Sequence, residues 1–131
     1  MKREVIGRDK VKGPETPHSP GIICGDLLYV SSQGPFDPTT QKVISGSIEE
    51  EARVALNNVQ AVIRAAGFHM YNVAKVTVFL ADAKDFDGFN KAYREFFLAE
   101  GLSEMDLPAR TVIEAKSAFG CKCEVEAIVG R

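Results

Sequence analysis

The spacing of apolar residues predicts several short strands and two longer helices. Strand-like runs occupy residues 4–6, 22–24 and 27–31, and the last two runs flank a turn at residues 25–26, as in a β-hairpin. Between the first two runs the chain is rich in proline and glycine, which predicts an extended loop because proline cannot continue a helix. The start of the chain is therefore predicted to consist of strands and loops.

Three further runs predict the remaining strands. Residues 73–80 alternate, with Val76, Val78 and Leu80 on one face and Lys75, Thr77 and Phe79 on the other. The last two strands are predicted near residues 110–116 and 122–129. The final strand also has two distinct faces, with Val125, Ala127 and Val129 on one and Glu124, Glu126 and Ile128 on the other.

The first helix has a clear start and a clear end in the sequence. Ser47 and Glu50 form a capping-box pattern, in which a serine precedes the helix and a glutamate follows three residues later. Behind them, apolar residues recur at helical spacing as far as Ala66, and Gly67 is a typical helix stop.

The second helix is predicted to begin near Asp82 or Ala83 and to end at Gly101. Its apolar side is formed by aromatic residues, namely Phe86, Phe89, Tyr93, Phe96 and Phe97. Gly88 within this stretch costs about 1 kcal/mol of helix propensity, which does not overturn the prediction.

This order of elements predicts an α+β fold, formed by a single domain over residues 1–131, with two helices on one face of a mixed sheet. Several strands carry apolar side chains on both faces, as Val112 beside Ile113 illustrates. Because two helices cover only one side, the other face must be buried in another way. Association with further copies of the chain is the economical answer, and a small apolar surface left open is the alternative.

Charge and hydropathy exclude some partners. The 131 residues carry a net charge of −2, which gives no electrostatic reason to expect nucleic acid or a membrane as a partner. The basic residues between Lys2 and Lys12 are interrupted by Glu4 and Asp9, which is typical of a solvated arm. No apolar run reaches the roughly 18–20 residues of a spanning helix. No signal-peptide core follows the start, so a cytoplasmic location is expected.

The three cysteines, Cys24, Cys121 and Cys123, do not form the pattern of a disulfide framework. The pair Cys121-x-Cys123 lacks a second pair of ligands, and only His18 and His69 are available elsewhere, so no metal site is expected. Small buried or half-buried thiols are favoured instead.

Charged residues stand out in the last two predicted strands, because buried charge is costly unless it is paired or used. Arg110 can present its planar guanidinium to a carboxylate, or it can form a salt bridge to Glu124, Glu126 or a neighbouring chain, and the pattern favours neither. Glu124 can act as a general base on a water within its reach, although a lone glutamate more often marks a solvated edge strand. We interpret Arg110 and Glu124 as the floor of a small-molecule site.

Two further side chains are candidates. Ser31 ends an apolar strand and can offer a hydroxyl to an anion, although turn stabilisation is the more common role. His18 lies in a loop, and His69 is assigned no role. The chain carries no Gly-x-Ser-x-Gly elbow, Walker loop, dinucleotide fingerprint or His-Glu-x-x-His pattern.

Jointly, segments along nearly the whole chain resemble the RidA/YjgF family of enamine/imine deaminases, also called L-PSP endoribonuclease-like. The segments that carry the resemblance are Pro17-x-Ser19-x-Gly21, Ser31-Ser32-Gln33-Gly34-Pro35, Asp37-Pro38, Ala55-Leu56-Asn57-Asn58-Val59, Ala65-Ala66-Gly67, Val76-Thr77-Val78-Phe79-Leu80-Ala81-Asp82, Phe89-Asn90-x-x-Tyr93-x-x-Phe96-Phe97, Leu107-Pro108-Ala109-Arg110-Thr111 and Glu124-Val125-Glu126-Ala127. Most of them are weak singly, but their combination is highly specific.

The resemblance implies a chorismate-mutase-like α+β subunit, assembled as a homotrimer with three clefts between subunits. It also implies hydrolysis of reactive 2-imino acids or their enamines to 2-oxo acids and ammonia, without a metal or cofactor. On this resemblance Arg110 matches the carboxylate-binding arginine, Glu124 the water-activating glutamate and Ser31 a substrate-contacting serine. The substrate-binding residues expected on the same basis are His18, Ser31, Ser32, Gly34, Arg110 and Val112.

The chain departs from the family's pattern in three places. His18 replaces the usual tyrosine, Val112 replaces a cysteine, and the loop at residues 100–107 is slightly longer. These changes leave the anchor and the base in place but reshape the pocket. A related enamine such as 2-aminomuconate is therefore an alternative to 2-iminopropanoate or 2-iminobutanoate.

Two rival functions belong to other classes. One is a non-catalytic regulatory trimer in which the same arginine holds a carboxylate ligand. The other is ribonuclease activity or translation inhibition, against which the net charge of −2 and the absence of a basic-aromatic groove argue.

Overall fold

The computed structural model describes residues 2–131, and its elements follow the predicted order. The strands are β1 (Arg3–Ile6), β2 (Gly21–Cys24), β3 (Leu27–Gln33), β4 (Val73–Leu80), β5 (Ala109–Glu114) and β6 (Cys123–Gly130). The α-helices of this part of the chain are α1 (Ile48–Ala65) and α2 (Phe86–Ala99). The predicted α+β class with a mixed sheet and two helices is confirmed.

All six strands form one sheet in the order β1-β2-β3-β6-β4-β5. Neighbouring strands are antiparallel except for β4 and β5, which are parallel. A parallel pair cannot be joined by a tight turn, and here helix α2 provides the long connection. Strand β5 lies at one edge of the sheet, where it pairs with β4.

Helix α1 begins where Ser47 caps it. The hydroxyl of Ser47 accepts a hydrogen bond from the backbone N–H of Glu50 at 3.2 Å, which satisfies one of the free donors of the first turn. A capping box would also use the side chain of Glu50 as an acceptor before the helix. Here the side chain of Glu51 is the acceptor instead, and the backbone N–H of Gly46 donates to it at 3.4 Å. The helix ends at Ala65, close to the predicted stop.

Helix α2 begins later than predicted. Residues Ala83–Asp85 form a separate 3₁₀ turn, because the side chain of Asp82 accepts a hydrogen bond from the backbone N–H of Lys84 at 2.9 Å. The α-helix itself starts at Phe86. Phe86 was predicted on the apolar side of the helix, but it is 44% exposed.

The core lies between the two helices and one face of the sheet. From α2 it takes the buried side chains of Phe89, Tyr93 and Phe97. Gly88 allows α2 to approach α1 closely, because a Cβ atom at this position would lie only 2.6 Å from Cγ2 of Ile48. A packing requirement thus explains a glycine that weakens the helix locally.

Among residues 2–131 no helix packs on the opposite face of the sheet, and we call this face the open face. Several apolar side chains project from it, including Tyr29 (44% exposed) and Ile113 (46% exposed). Glu124 and Glu126 project from the same face. The prediction that several strands are apolar on both faces is confirmed. None of the helices described here combines the length and apolar character needed to cross a bilayer.

Candidate functional site

Arg110 lies on the helix-covered side of the edge strand β5. In the parallel register it is opposite Val76, which is buried under the helices. Its guanidinium carbon lies 4.8 Å from the ring centre of Tyr93 and 6.0 Å from that of Phe86. Among residues 2–131 no carboxylate lies within 4 Å of it. The salt bridge to Glu124 or Glu126 considered above does not form within one chain, so the arginine is a cation held on aromatic rings without an anion.

The surroundings of Arg110 form a small groove, here called the arginine groove. It encloses about 190 Å³. The residues that line it are Asn90, Tyr93, Arg94, Leu107, Pro108 and Arg110. Within the described chain, Oδ1 of Asn90 and the hydroxyl of Tyr93 are buried and have no hydrogen-bond partner. Buried polar groups are almost always hydrogen-bonded, so two unpaired groups beside an unpaired cation indicate a place for a polar ligand.

The Tyr93 hydroxyl is held in its protonated form. Burial raises its pKa from 10.0 to about 12, and the neighbouring Arg110 charge opposes part of this rise. Tyr93 is therefore a neutral group at physiological pH. It can donate one hydrogen bond to a ligand in the groove and accept another.

Glu124 lies on the open face of strand β6. It is opposite Phe79, which in turn is opposite Ile113 of β5. Its Oε1 accepts a hydrogen bond from the hydroxyl of Ser32 at 3.0 Å. Glu126, two residues further on, shares this face as the alternation of the strand predicted.

A second groove, here called the glutamate groove, contains Glu124 and Glu126. It encloses about 290 Å³. The predicted residues His18, Ser31 and Ser32 line it with these two glutamates. Four of the residues expected at the site thus lie together, since Glu124, Ser31, Ser32 and His18 share one groove.

A β-bulge brings Ser32 to Glu124. Val30 pairs with Ala127 and Gln33 pairs with Val125, so three steps along β3 match two steps along β6. The extra residue bends the strand and changes the direction of the side chains that follow. This irregularity allows the hydroxyl of Ser32 to reach a carboxylate on the open face.

Ser31 has a structural role in this chain. Its hydroxyl donates to the backbone carbonyl of Ser19 at 2.7 Å, and its backbone N–H donates to the carbonyl of Pro20 at 2.9 Å. Both bonds fasten the loop that precedes β2 to strand β3. The Ser31 hydroxyl proton is committed to this loop, which leaves its oxygen lone pairs for a ligand.

His18 is positioned by the same loop. Its Nδ1 lies 2.6 Å from the hydroxyl oxygen of Thr16 and 3.2 Å from the carbonyl oxygen of that residue. Nε2 is therefore the ring nitrogen that can hydrogen-bond a ligand in the glutamate groove.

Gly34 and Val112 contribute space rather than polar contacts. A Cβ atom at Gly34 would lie 2.9 Å from the ring of Phe36, so the glycine leaves room for this aromatic ring. The side-chain amide of Asn58 donates to the backbone carbonyls of Gly34 and Phe36, at 3.0 and 2.9 Å, and fixes the turn. Val112 is half-buried against the core, on the same side of β5 as Arg110.

Arg110 and Glu124 do not line a common groove within one chain. Arg110 projects from the helix-covered side of the sheet and Glu124 from the open face. The interpretation of these two residues as one floor is therefore not met inside a single chain. A site that uses both requires a second copy.

Sequence reasoning missed two members of the arginine groove, Asn90 and Arg94. They are four positions apart and therefore occupy one side of α2, next to the apolar stripe that contains Tyr93. Tyr93 itself was interpreted as a core residue. The pattern that could have revealed this groove is the polar pair Asn90 and Arg94, at helical spacing beside the apolar stripe.

Strand β6 is anchored to α1 by a buried carboxylate. Glu51 is 2% exposed and accepts hydrogen bonds from the backbone N–H of Lys122 at 2.9 Å and from its ammonium group at 3.2 Å. The ammonium group also donates to the carbonyl of Gly46 at 2.7 Å. These bonds fix the start of β6 two residues before Glu124.

The cysteines are free thiols. Cys121 and Cys123 are buried and Cys24 is half-buried, as predicted. Burial raises the pKa of Cys123 from 9.0 to about 12 and also raises that of Cys121. Both buried thiols are therefore protonated and poorly nucleophilic at physiological pH.

Comparison with known proteins identifies the family. The family model described as endoribonuclease L-PSP matches residues 10–130. The chain belongs to the RidA/YjgF family. This confirms the resemblance from the sequence, and the family includes proteins with several different names.

Three relatives illustrate the range of this family. A RutC family protein of Saccharolobus solfataricus is 38% identical, over 86% of this chain and 84% of the relative. The human 2-iminobutanoate/2-iminopropanoate deaminase is 35% identical, over 96% of this chain and 88% of the relative. The crystal structure of Escherichia coli TdcF with bound serine superposes with a TM-score of 0.89 at 29% identity, over 98% of both chains.

Proposed function

We propose that the protein hydrolyses reactive 2-imino acids, or their enamine tautomers, to 2-oxo acids and ammonia. In this proposal the protein is a homotrimer, and each active site combines the arginine groove of one copy with the glutamate groove of the next. No metal or cofactor takes part in the reaction.

The observation that carries the proposal is the unpaired guanidinium of Arg110. It rests on Tyr93, lacks an anion within the described chain and lies beside two unpaired buried polar atoms. Arginine binds a carboxylate through two parallel hydrogen bonds, which fix both the position and the plane of the bound acid. A carboxylate held in this way places the adjacent imine carbon at a fixed distance from the protein.

Glu124 is suited to activate the attacking water. Its carboxylate already accepts a hydrogen bond from Ser32 at one oxygen, which holds it in a single orientation. As water adds to the imine carbon, the C–O bond forms, the C=N π bond breaks, and Glu124 takes a proton from the water. Glu124 returns this proton to nitrogen, which gives a carbinolamine. Glu124 then takes the proton of the carbinolamine hydroxyl and passes it to the same nitrogen, so the C–N bond breaks and ammonia leaves as the C=O bond forms.

The positions of the two grooves favour a site shared between copies. Arg110 and Glu124 face opposite sides of one sheet, so only a neighbouring copy brings an arginine groove to a glutamate groove. The open face, with Tyr29 and Ile113 exposed, offers the apolar surface that such an assembly would bury. The trimer is the assembly that membership of the family implies.

The relatives add support for the reaction class. The human relative is named as a deaminase of two 2-imino acids, and TdcF binds serine, a small molecule with a carboxylate. A nuclease role has less support, because the net charge of −2 gives no basic surface for a phosphate backbone.

The proposal is tested by turnover. An amino-acid oxidase generates 2-iminopropanoate or 2-iminobutanoate in the assay, and loss of the imine is followed with and without the protein. We expect faster hydrolysis with wild type and at least about a hundredfold lower kcat/KM for Arg110→Ala, because two charged hydrogen bonds are lost. Binding of a 2-oxo acid without any acceleration would instead support a regulatory role. The mass of the protein in solution tests the trimer independently.

A further inference from the structure

A second arginine lines the arginine groove, one helical turn after Asn90. Nε of Arg94 donates to both carboxylate oxygens of Glu104, at 2.9 and 3.1 Å. Its two terminal nitrogens make no hydrogen bond within residues 2–131. The groove therefore contains two guanidinium groups, of which that of Arg110 is entirely unpaired.

The partner of Arg94, Glu104, lies on the loop between α2 and β5. This loop is ordered by its own polar bonds, in which the backbone N–H of Ser103 donates to Asp106 and the backbone N–H of Met105 donates to the hydroxyl of Ser103. Leu102 anchors its first part in the core. The loop thus holds the Glu104 carboxylate against Arg94.

The Arg94–Glu104 pair is weak enough to exchange. The side chains of both residues are about half exposed, at 51% and 54%, and exposed ion pairs contribute about 0–1 kcal/mol. A ligand carboxylate that is also anchored at Arg110 would reach Arg94 as part of the same molecule, without a second loss of translational freedom. Glu104 therefore occupies a position that a ligand carboxylate can take.

The unpaired atoms of the groove indicate a ligand with more than one polar group. The hydroxyl of Tyr93 can donate to an oxygen, and Oδ1 of Asn90 requires a donor such as an imine N–H. A monocarboxylate on Arg110 with an apolar side chain would leave the terminal nitrogens of Arg94 without an acceptor from the ligand. A second carboxylate would satisfy them.

We infer that Arg94 is a specificity-determining residue that binds a second carboxylate, so that the groove selects 2-imino dicarboxylates over monocarboxylates of equal length. Glu104 opposes this selection by competing for Arg94. That the preferred ligand is an imine rests on the proposed function, whereas the preference for two carboxylates concerns binding alone.

The test compares two 2-oxo acids that correspond to reaction products. 2-Oxoglutarate and 2-oxopentanoate have the same chain length and differ in a terminal carboxylate against a terminal methyl group. Calorimetric titration of the assembled protein gives the ratio of their Kd values. We expect 2-oxoglutarate to bind more tightly to wild type, and Arg94→Gln to reduce this preference about tenfold, the effect of one charged hydrogen bond. Glu104→Gln should increase the preference.

The two variants are expected to change the preference for 2-oxoglutarate in opposite directions. A general loss of folding or assembly would not produce this pattern. A ratio that is the same in wild type, Arg94→Gln and Glu104→Gln would overturn the inference. So would an unchanged ratio accompanied by a lower oligomeric mass in Arg94→Gln, because Arg94 would then serve the contact between copies. Failure of the deaminase proposal is read separately, from turnover of 2-iminopropanoate by wild type and Arg110→Ala.

Discussion

Arg110 and Glu124 project from opposite faces of the same sheet. Arg110 is in register with buried Val76, and Glu124 is in register with Phe79 on the open face. Within one chain the two side chains therefore point away from each other and line separate grooves. The chemistry proposed here therefore depends on how copies of the chain meet.

In the proposed trimer, a site shared between copies predicts complementation between two variants that each lack one half of the site. Arg110→Ala and Glu124→Gln should each retain about 1% of the activity or less alone, because each lacks one half of every site. When the two are co-expressed in mixed trimers, about a quarter of the sites receive both intact halves. Purified mixed trimers should therefore recover a measurable part of the wild-type kcat.

The control for this experiment is the double variant Arg110→Ala with Glu124→Gln, co-expressed with wild type at the same ratio. If the site were contained in one chain, mixing the single variants would restore nothing. Mass spectrometry of the intact trimers establishes that mixing occurred.

Glu124 and Glu126 offer a matched pair on one strand face. Glu124→Gln should lower kcat by about a hundredfold or more, since general-base catalysis contributes about 10²–10⁴-fold. Glu126→Gln removes the same charge two residues away and should keep kcat within the same order of magnitude. Ammonia release by both variants is measured alongside their circular dichroism spectra. Equal losses in the two variants would point to a general charge effect on the groove.

Arg110→Lys separates charge from geometry. Lysine keeps the positive charge but cannot offer two parallel donors, so we expect KM for a 2-imino acid to rise about tenfold or more. Arg53→Lys provides the control, because Arg53 is exposed on α1 and lines neither groove. A wild-type KM in Arg110→Lys would mean that charge alone holds the substrate.

Tyr93 predicts how stability depends on pH. Because its pKa in the folded state is raised to about 12, the native protein favours the protonated phenol over the ionised one. The associated stability is fully present below the unfolded pKa, about 10, and is lost as the pH rises toward 12. At about pH 11 the loss amounts to about 1.4 kcal/mol of the free energy of unfolding.

The matching variant is Tyr93→Phe. Urea unfolding at about pH 8 and about pH 11 should show a smaller drop for Tyr93→Phe than for wild type. Near neutral pH the variant should be at least as stable as wild type, because it removes a buried hydroxyl that has no partner. Parallel drops in the two proteins would show that other groups, such as Cys123, dominate the alkaline range.

The cysteines predict selective labelling. Cys121 and Cys123 are buried and have raised pKa values, whereas Cys24 is half-buried at the end of β2. Iodoacetamide should therefore modify Cys24 alone in the native protein and all three in urea. Peptide mass spectrometry identifies the modified positions, and rapid native labelling of Cys121 would contradict the burial described here.

The sequence was most informative where a pattern has one physical meaning. Strict alternation across residues 73–80 predicted the bounds and both faces of β4, and the run after Ser47 predicted α1. The start of α2 was wrong because Asp82 closes a local turn, and such a side-chain bond competes with the helix without changing the apolar pattern.

The relation between the two halves of the candidate site was not readable from the pattern. In the strand of Arg110, both Val112 and Ile113 are apolar, so alternation does not reveal which face meets the core. The answer depends on the parallel pairing with β4, which is a long-range property of the sheet. In the final strand the glutamates alternate with apolar residues, and their shared face was predicted correctly.

The bulge in β3 interrupts the regular pairing with β6, and it accompanies the hydrogen bond that orients Glu124. Deleting a single residue between Val30 and Gln33 would allow an uninterrupted ladder with β6 and would remove an unpaired backbone position. If the deleted residue is Ser32, the hydroxyl that donates to Glu124 is lost, and with it the only internal constraint on that carboxylate among the bonds described here. A regular strand and an oriented Glu124 carboxylate therefore place opposite requirements on this segment of β3.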